Sequence, residues 1–285
     1  MSWTDHLASA HDSMTQEVHG RAVTVGPSGR YATLREMFAN QPGSAMWPVV
    51  ATLEDGTHTV IQVDSLPYVS VVGTSKAGTI IVADGTSTEV DPVSGVAYAD
   101  MDRANKHMFK PSGGLSLSTL TINVNEVKYV VHQDSGDAGS VVIDNCILRG
   151  HDIDAITGHG LRGGQTFTLT NSTIGALAGG TAPPVVVHAH NMTTQASACG
   201  VLVEDCDCED LQVARLEELL SGQTDDFVFR RCTTTAATAL DYDAGTGVTD
   251  ADPYNVEVTV DDCGTFPLIY DAVNRPDALA HITVT

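Results

Sequence analysis

Lysine is almost missing from this sequence. Four lysines (Lys76, Lys106, Lys110, Lys128) stand in 285 residues, and 14 basic side chains face 36 acidic ones for a formal net charge of −22. That deficit excludes a surface built to hold a nucleic-acid backbone, which needs clustered Lys and Arg. It argues equally against anionic membrane surfaces. Asp outnumbers Glu by 26 to 10. An acidic, lysine-poor surface stays solvated in concentrated salt, where its self-repulsion is screened, so a halophile's protein is expected. Aromatic residues are scarce at 5%. Long apolar runs are missing too: nothing approaches the roughly 18 residues of a membrane-spanning helix, so no membrane insertion is expected.

The first residues, Met1-Ser-Trp-Thr-Asp-His6, lack the basic flank, apolar core and cleavage site of a signal peptide. The expected routes are residence in the cell, cleavage from a longer precursor, or release without a signal, as in virion assembly and lysis. The six cysteines are too irregularly spaced for zinc: Cys206-x-Cys208 with Cys199 lacks the usual two-residue gap and a second pair. Neither a metal nor any other cofactor is expected.

What is plentiful is Gly, Thr, Val, Asp and Ala, with 42% hydrophobic residues and a mean hydropathy of zero. This balance favours short strands and tight turns around a sizeable core. Five segments share one pattern of alternating apolar residues closed by a small one: Val141-Val-Ile-Asp-Asn-Cys146, Phe167-Thr-Leu-Thr-Asn-Ser172, Val201-Leu-Val-Glu-Asp-Cys206, Phe227-Val-Phe-Arg-Arg-Cys232 and Val258-Thr-Val-Asp-Asp-Cys263. Their final residues are 26, 34, 26 and 31 positions apart. Leu120-Thr-Ile-Asn-Val-Asn125 reads as a weaker member.

A unit of 20 to 35 residues with period-two alternation is one coil of a β-solenoid, whose apolar face is buried only by stacking neighbours. An antiparallel sandwich has no reason to repeat the same closing residue once per period. The expected fold is all-β, a parallel β-helix in which Cys146, Ser172, Cys206, Cys232 and Cys263 form a buried ladder of free small side chains. Residues 1–22 read as an N-terminal arm and 23–285 as one domain. An amphipathic capping helix is expected at about 31–40, with Leu34, Met37 and Phe38 on one face. Strands are expected near 48–53, 58–63, 68–72 and 79–83, a long excursion at about 84–114, core coils from about 115 to 263, an acidic loop at 241–253 and a last strand at 280–285.

Gly26-Pro-Ser-Gly-Arg-Tyr-Ala-Thr-Leu-Arg-Glu36, the Gly56-Thr-His-Thr-Val60 turn and Tyr68-Val-Ser-Val-Val-Gly73 resemble the opening coils of pectinesterases, in the pectin-lyase-like right-handed β-helix superfamily. Tyr129-Val-Val-His-Gln-Asp134, Gly160-Leu-Arg-Gly-Gly-Gln165 and Val185-Val-Val-His188 resemble β-helix proteins from the tails and surfaces of tailed viruses. Asp226-Phe-Val-Phe-Arg230 is similar to the pectinesterase segment that carries the nucleophilic aspartate, and Asn274-Arg-Pro276 to the one whose arginine grips the sugar acid. That resemblance implies Asp226 as nucleophile and Arg275 as substrate clamp. The sequence departs from the pattern at Arg230, where glycine is usual, and at Asp277, where tryptophan is. It also has no Gln-Asp-Thr-Leu segment to supply a general acid one coil earlier.

His132 with Asp134, and His188 with His190, lie two apart and so share a strand face; His159 and Arg162 fall between them in sequence. Together they are candidates for a glycan groove. Asn171-Ser-Thr and Asn191-Met-Thr match the N-glycosylation pattern, with Asn171 read as an internal polar stack. Three functions are open at this point. One is a virion surface component, a spike, turret or tail appendage of a halophilic virus, bound to other virion proteins by its arm and to a host glycan. The resemblance implies a side-by-side homotrimer for it. The second is a carbohydrate-active enzyme of esterase, lyase or hydrolase type. The third is an intracellular β-helix scaffold.

Overall fold

The computed structural model describes residues 21–44, 46–91, 94–102, 106–111, 113–124, 127, 129–131, 139–150, 155–157, 165–177, 185–191, 200–219, 225–243, 256–270 and 278–285. Every ladder between strands in these residues is parallel. The first face of the solenoid is a ten-stranded sheet of β1 (Arg21–Val25), β2 (Val49–Leu53), β5 (Val69–Gly73), β8 (Leu115–Ser118), β11 (Val141–Asp144), β14 (Thr166–Thr170), β17 (Gly200–Glu204), β19 (Asp225–Arg230), β21 (Val256–Asp261) and β23 (Ile282–Val284), stacked in that order. A second face stacks β3 (Gly56–Val60), β6 (Thr79–Ala83), β9 (Thr121–Asn123), β12 (Ile147–Gly150) and β15 (Thr173–Ala176). The third begins with β4 (Val63–Ser65), β7 (His107–Pro111) and β10 (Tyr129–Val131). It continues in a sheet of β13 (Ala155–Thr157), β16 (Val185–Asn191), β18 (Gln212–Leu219), β20 (Leu240–Asp243) and β22 (Leu268–Tyr270).

Alternation on the long sheet explains the repeat. Leu115, Val141, Phe167, Val201, Phe227 and Val258 form one inward column, and Leu117, Ile143, Leu169, Val203, Phe229 and Val260 the next. All twelve are buried. The residue after each strand takes the left-handed conformation: Thr119 (φ 57°), Asn145 (52°), Asn171 (51°), Asp205 (54°), Arg231 (49°) and Asp262 (50°). This turn swings the chain from the first face to the second without a loop. It favours Asn and Asp, whose short polar chains tolerate the left-handed region. Replacing Asn171 by Val puts a branched Cβ at φ 51°. The expected loss is about 1–2 kcal/mol, read in a urea melt against Asn171→Gly, which should lose little.

The next residue in each coil points inward. Cys146, Ser172, Cys206, Cys232 and Cys263 are all buried, and the four cysteines among them, with Cys208, are free. Each Sγ or Oγ donates to a carbonyl two residues back, from 2.7 Å for Ser172 to 3.4 Å for Cys232. Burial pushes the Cys146 thiol up to about 11 and Cys206 to about 12. The hydrogen bond between Cys232 and Cys263 raises the former and lowers the latter. Thiols kept protonated by burial, as at Cys146 and Cys206, are poor nucleophiles and ligands, which suits a packing role there.

The helix α1 (Leu34–Asn40) buries Leu34, Met37 and Phe38. Thr33 caps it by accepting from the Glu36 N–H at 3.1 Å, and Glu36 Oε2 reaches back past the cap to accept from the Ala32 N–H at 3.0 Å, a variant of the capping box. It starts three residues later than the 31–40 expected, because Tyr31 is taken by a bridge to Val25. β1 spans the expected arm boundary at 22/23, and the long sheet already holds β1, β2 and β5 before residue 115. Two further expectations need correction. The stretch 84–114 is not one excursion: β7 returns to the stack between β4 and β10. The loop expected at 241–253 begins inside β20, held by pairing with β18. The weak repeat expected at 120–125 lies five residues earlier in the stack. Its true member is Leu115-Ser-Leu-Ser-Thr-Leu120, in which Leu120 fills the position of the cysteines.

Candidate functional site

The outer face of the long sheet carries the chemistry. Phe227 and Phe229 point into the core, so Asp226, just before them on β19, points outward and is exposed. Its ladder partner on the preceding rung is Gly200 and on the following rung Glu257, also exposed. One rung further, His281 Nδ1 lies 3.3 Å from Glu257 Oε1. Adjacent rungs are about 4.8 Å apart, so Asp226, Glu257 and His281 form a short file of titratable groups along the solenoid axis. A Cβ on Gly200 would meet the Asp226 carbonyl oxygen at 3.5 Å, an ordinary contact. The rung before Asp226 therefore has room for a side chain and carries none. The second carboxylate stands on the opposite side from the one the pectinesterase pattern implies.

The arginines four and five positions on are already engaged. Arg230 donates to Asp261 Oδ2 at 2.9 Å and to Glu204 Oε1 at 3.2 Å. Arg231 binds Asp205 at 2.7 and 2.8 Å and Glu204 at 2.6 Å. These hydrogen bonds raise both guanidinium pKa values, and Arg231 holds the Asp205 carboxyl below its usual range. The glycine of the pectinesterase pattern is thus replaced by one link of an ion-pair ladder across three rungs. Such half-exposed pairs contribute little singly, and more as a network.

Arg275, His132, Asp134, His159 and Arg162 lie outside the described residues. His188 is described, and its burial corrects its own place in the expected glycan groove. It is 8% exposed, because β16 is buried along both faces from Val185 to Ala189. It pairs with Arg215 and, beyond it, Asp241, which form an ion pair at 3.7 Å. His190 pairs with Glu217 on the same ladder. Asn171 is likewise not an internal stack; it is exposed and donates to Asp144 Oδ1 at 2.7 Å. Glu257 was missed in the sequence, though a signal existed. It stands one residue before Val258-x-Val260, as Asp226 does before Phe227-x-Phe229.

Five rungs toward the N-terminus, the same outer face holds a shallow depression of about 300 Å³, lined by Tyr68, Ser70, Gly114, Ser116, Ser140 and Val142 among others. Tyr68 is 56% exposed with φ 61°.

No protein-family model and no curated protein matches the sequence. Among solved structures, the pectin methylesterase from carrot is similar at 12% identity, with 93% of this chain and 88% of that chain covered and a TM-score of 0.51. The chain has the right-handed parallel β-helix fold of that enzyme. The pectin methylesterases of Erwinia chrysanthemi (10% identity, 88% and 93% covered, TM-score 0.45) and Aspergillus niger (15%, 93% and 80%, 0.42) also match. At those TM-scores they carry no weight beside the carrot enzyme. At 12% identity the likeness shows the fold alone. The resemblance to viral tail and surface proteins finds no support in these matches.

Proposed function

We propose that the protein is carbohydrate-active, an ester hydrolase acting on an esterified polysaccharide at Asp226 and Glu257. One observation carries this: two outward carboxylates in direct register on neighbouring rungs of the long sheet. That spacing suits attack by a carboxylate on the substrate.

In this reading the Asp226 carboxylate attacks the ester carbonyl carbon. The departing alkoxide takes a proton from Glu257 and leaves as the alcohol. Water then attacks the acyl–aspartyl anhydride, returns a proton to Glu257 and frees the acid and Asp226. His281 keeps Glu257 in place and exchanges protons with it. The fold supports the reading by analogy only; the carboxylate pair is its physical ground. The virion-attachment role is set aside in favour of this one.

The test is alcohol release from methyl-esterified polygalacturonate. The wild type should turn over, and Asp226→Asn should lower kcat by about 10³-fold or more. Turnover unchanged in that variant would sink the assignment, and binding without turnover in the wild type would favour attachment to a glycan surface.

A further inference from the structure

Tyr68 is a large side chain at φ 61°, a conformation that costs of order 1–3 kcal/mol and persists only where its surroundings impose it. The chain uses that strain to hold an aromatic ring outward. Tyr68 stands one residue ahead of Val69 on β5, and its carbonyl oxygen accepts from the Val49 N–H at 2.8 Å, so the backbone there is tied to the stack. The rung below is opened by Gly113 (φ 123°) and Gly114 (φ 146°). At Gly113 any Cβ would meet Pro67 Cδ at 2.9 Å. The hydroxyls of Ser70, Ser116 and Ser140 edge the depression, with Thr166 Oγ1 2.8 Å from Ser140 Oγ. Among the described residues that line it, none carries a charge.

In a protein of net charge −22, an uncharged, hydroxyl-edged hollow beside an exposed ring is selective. An anion is repelled by the long-range field and finds no local cation. Val50, in ladder register with Ser70, is exposed as well, but the depression itself is edged by serine hydroxyls, which the apolar centre of a protein interface does not need. A sugar ring has what fits: one apolar C–H face for the tyrosine and peripheral hydroxyls for the serines. We infer that Tyr68 and its depression form a secondary binding site for an uncharged sugar unit of a polysaccharide chain. This rests on the reading of the same face as a glycan-processing surface. From β5 to β19 the stack advances five rungs, about 24 Å. A chain lying along the axis can therefore occupy both places, and the substrate is extended, with neutral or esterified units at the Tyr68 end.

The experiment is affinity electrophoresis of the whole chain in native gels containing methyl-esterified polygalacturonate, a neutral β-glucan, or fully de-esterified polygalacturonate. The wild type should be retarded by at least one of the first two and not by the third. Tyr68→Gly relieves the backbone strain, so it keeps the fold while removing the ring. It should weaken retardation about tenfold in Kd, and Tyr68→Phe should restore most of it. Equal retardation of the wild type and Tyr68→Gly, retardation by the polyanion, or none by either uncharged chain overturns the inference. Tyr68-dependent retardation without turnover keeps the binding site and removes only the esterase chemistry.

Discussion

Phe229→Ala is expected to cost about 3–5 kcal/mol of folding stability, the largest single loss considered for this chain. Phe229 is fully buried on β19, between Val203 and Val260 of the adjacent rungs, with its ring centroid 5.8 Å from that of Phe266. A solenoid rung touches only its neighbours. Two valines and one flanking ring cannot close over the volume of a lost benzyl group. The loss takes a large share of a domain's margin of about 5–15 kcal/mol, so the rungs from β19 onward should separate from the rest as an early unfolding step. Far-UV circular dichroism in urea should show a second, lower transition that the wild type lacks. Val228→Ala, on the outward side of the same strand, should move the midpoint little.

Glu257→Gln is expected to lower kcat on the esterified substrate by about 10²–10⁴-fold, the usual contribution of a positioned acid or base. Glutamine keeps the shape and the hydrogen bond to His281 but cannot give up and regain a proton. The pH–rate profile should therefore lose one limb as well as height, a signature that a merely structural defect does not produce. His281→Gln should have a smaller effect, since the imidazole acts through Glu257. Substrate binding, measured by retardation in gels, should be unaffected by either change.

The ladder from Cys146 to Cys263 was legible in the sequence because a small inward residue closes the same strand in five coils. The N-terminal coils were harder to read. There Leu120 fills the position that cysteine takes elsewhere, and Thr119 holds the left-handed turn that Asn or Asp holds in the others. With both markers changed, the alternation could be aligned five residues out. β7 and β20 were hidden for another reason: each is flanked by Gly- or Asp-rich stretches, and their strand character comes from pairing with the rungs beside them. Asp226 was found through resemblance to a known motif. Glu257 needed the register, since coils of 26 to 34 residues leave the ladder partner undetermined and a slip of one residue turns every side chain to the other face. The buried His188 shows the same limit. Spacing by two places residues on one face, but what covers that face depends on the neighbouring coils.

Asp226 and Glu257 should act as one unit, and a double-mutant cycle on methyl-esterified polygalacturonate tests that directly. If the two carboxylates serve a single covalent cycle, Asp226→Asn combined with Glu257→Gln should be about as slow as Asp226→Asn alone. Losses that multiply, or a wild type that releases no alcohol at all, would contradict it.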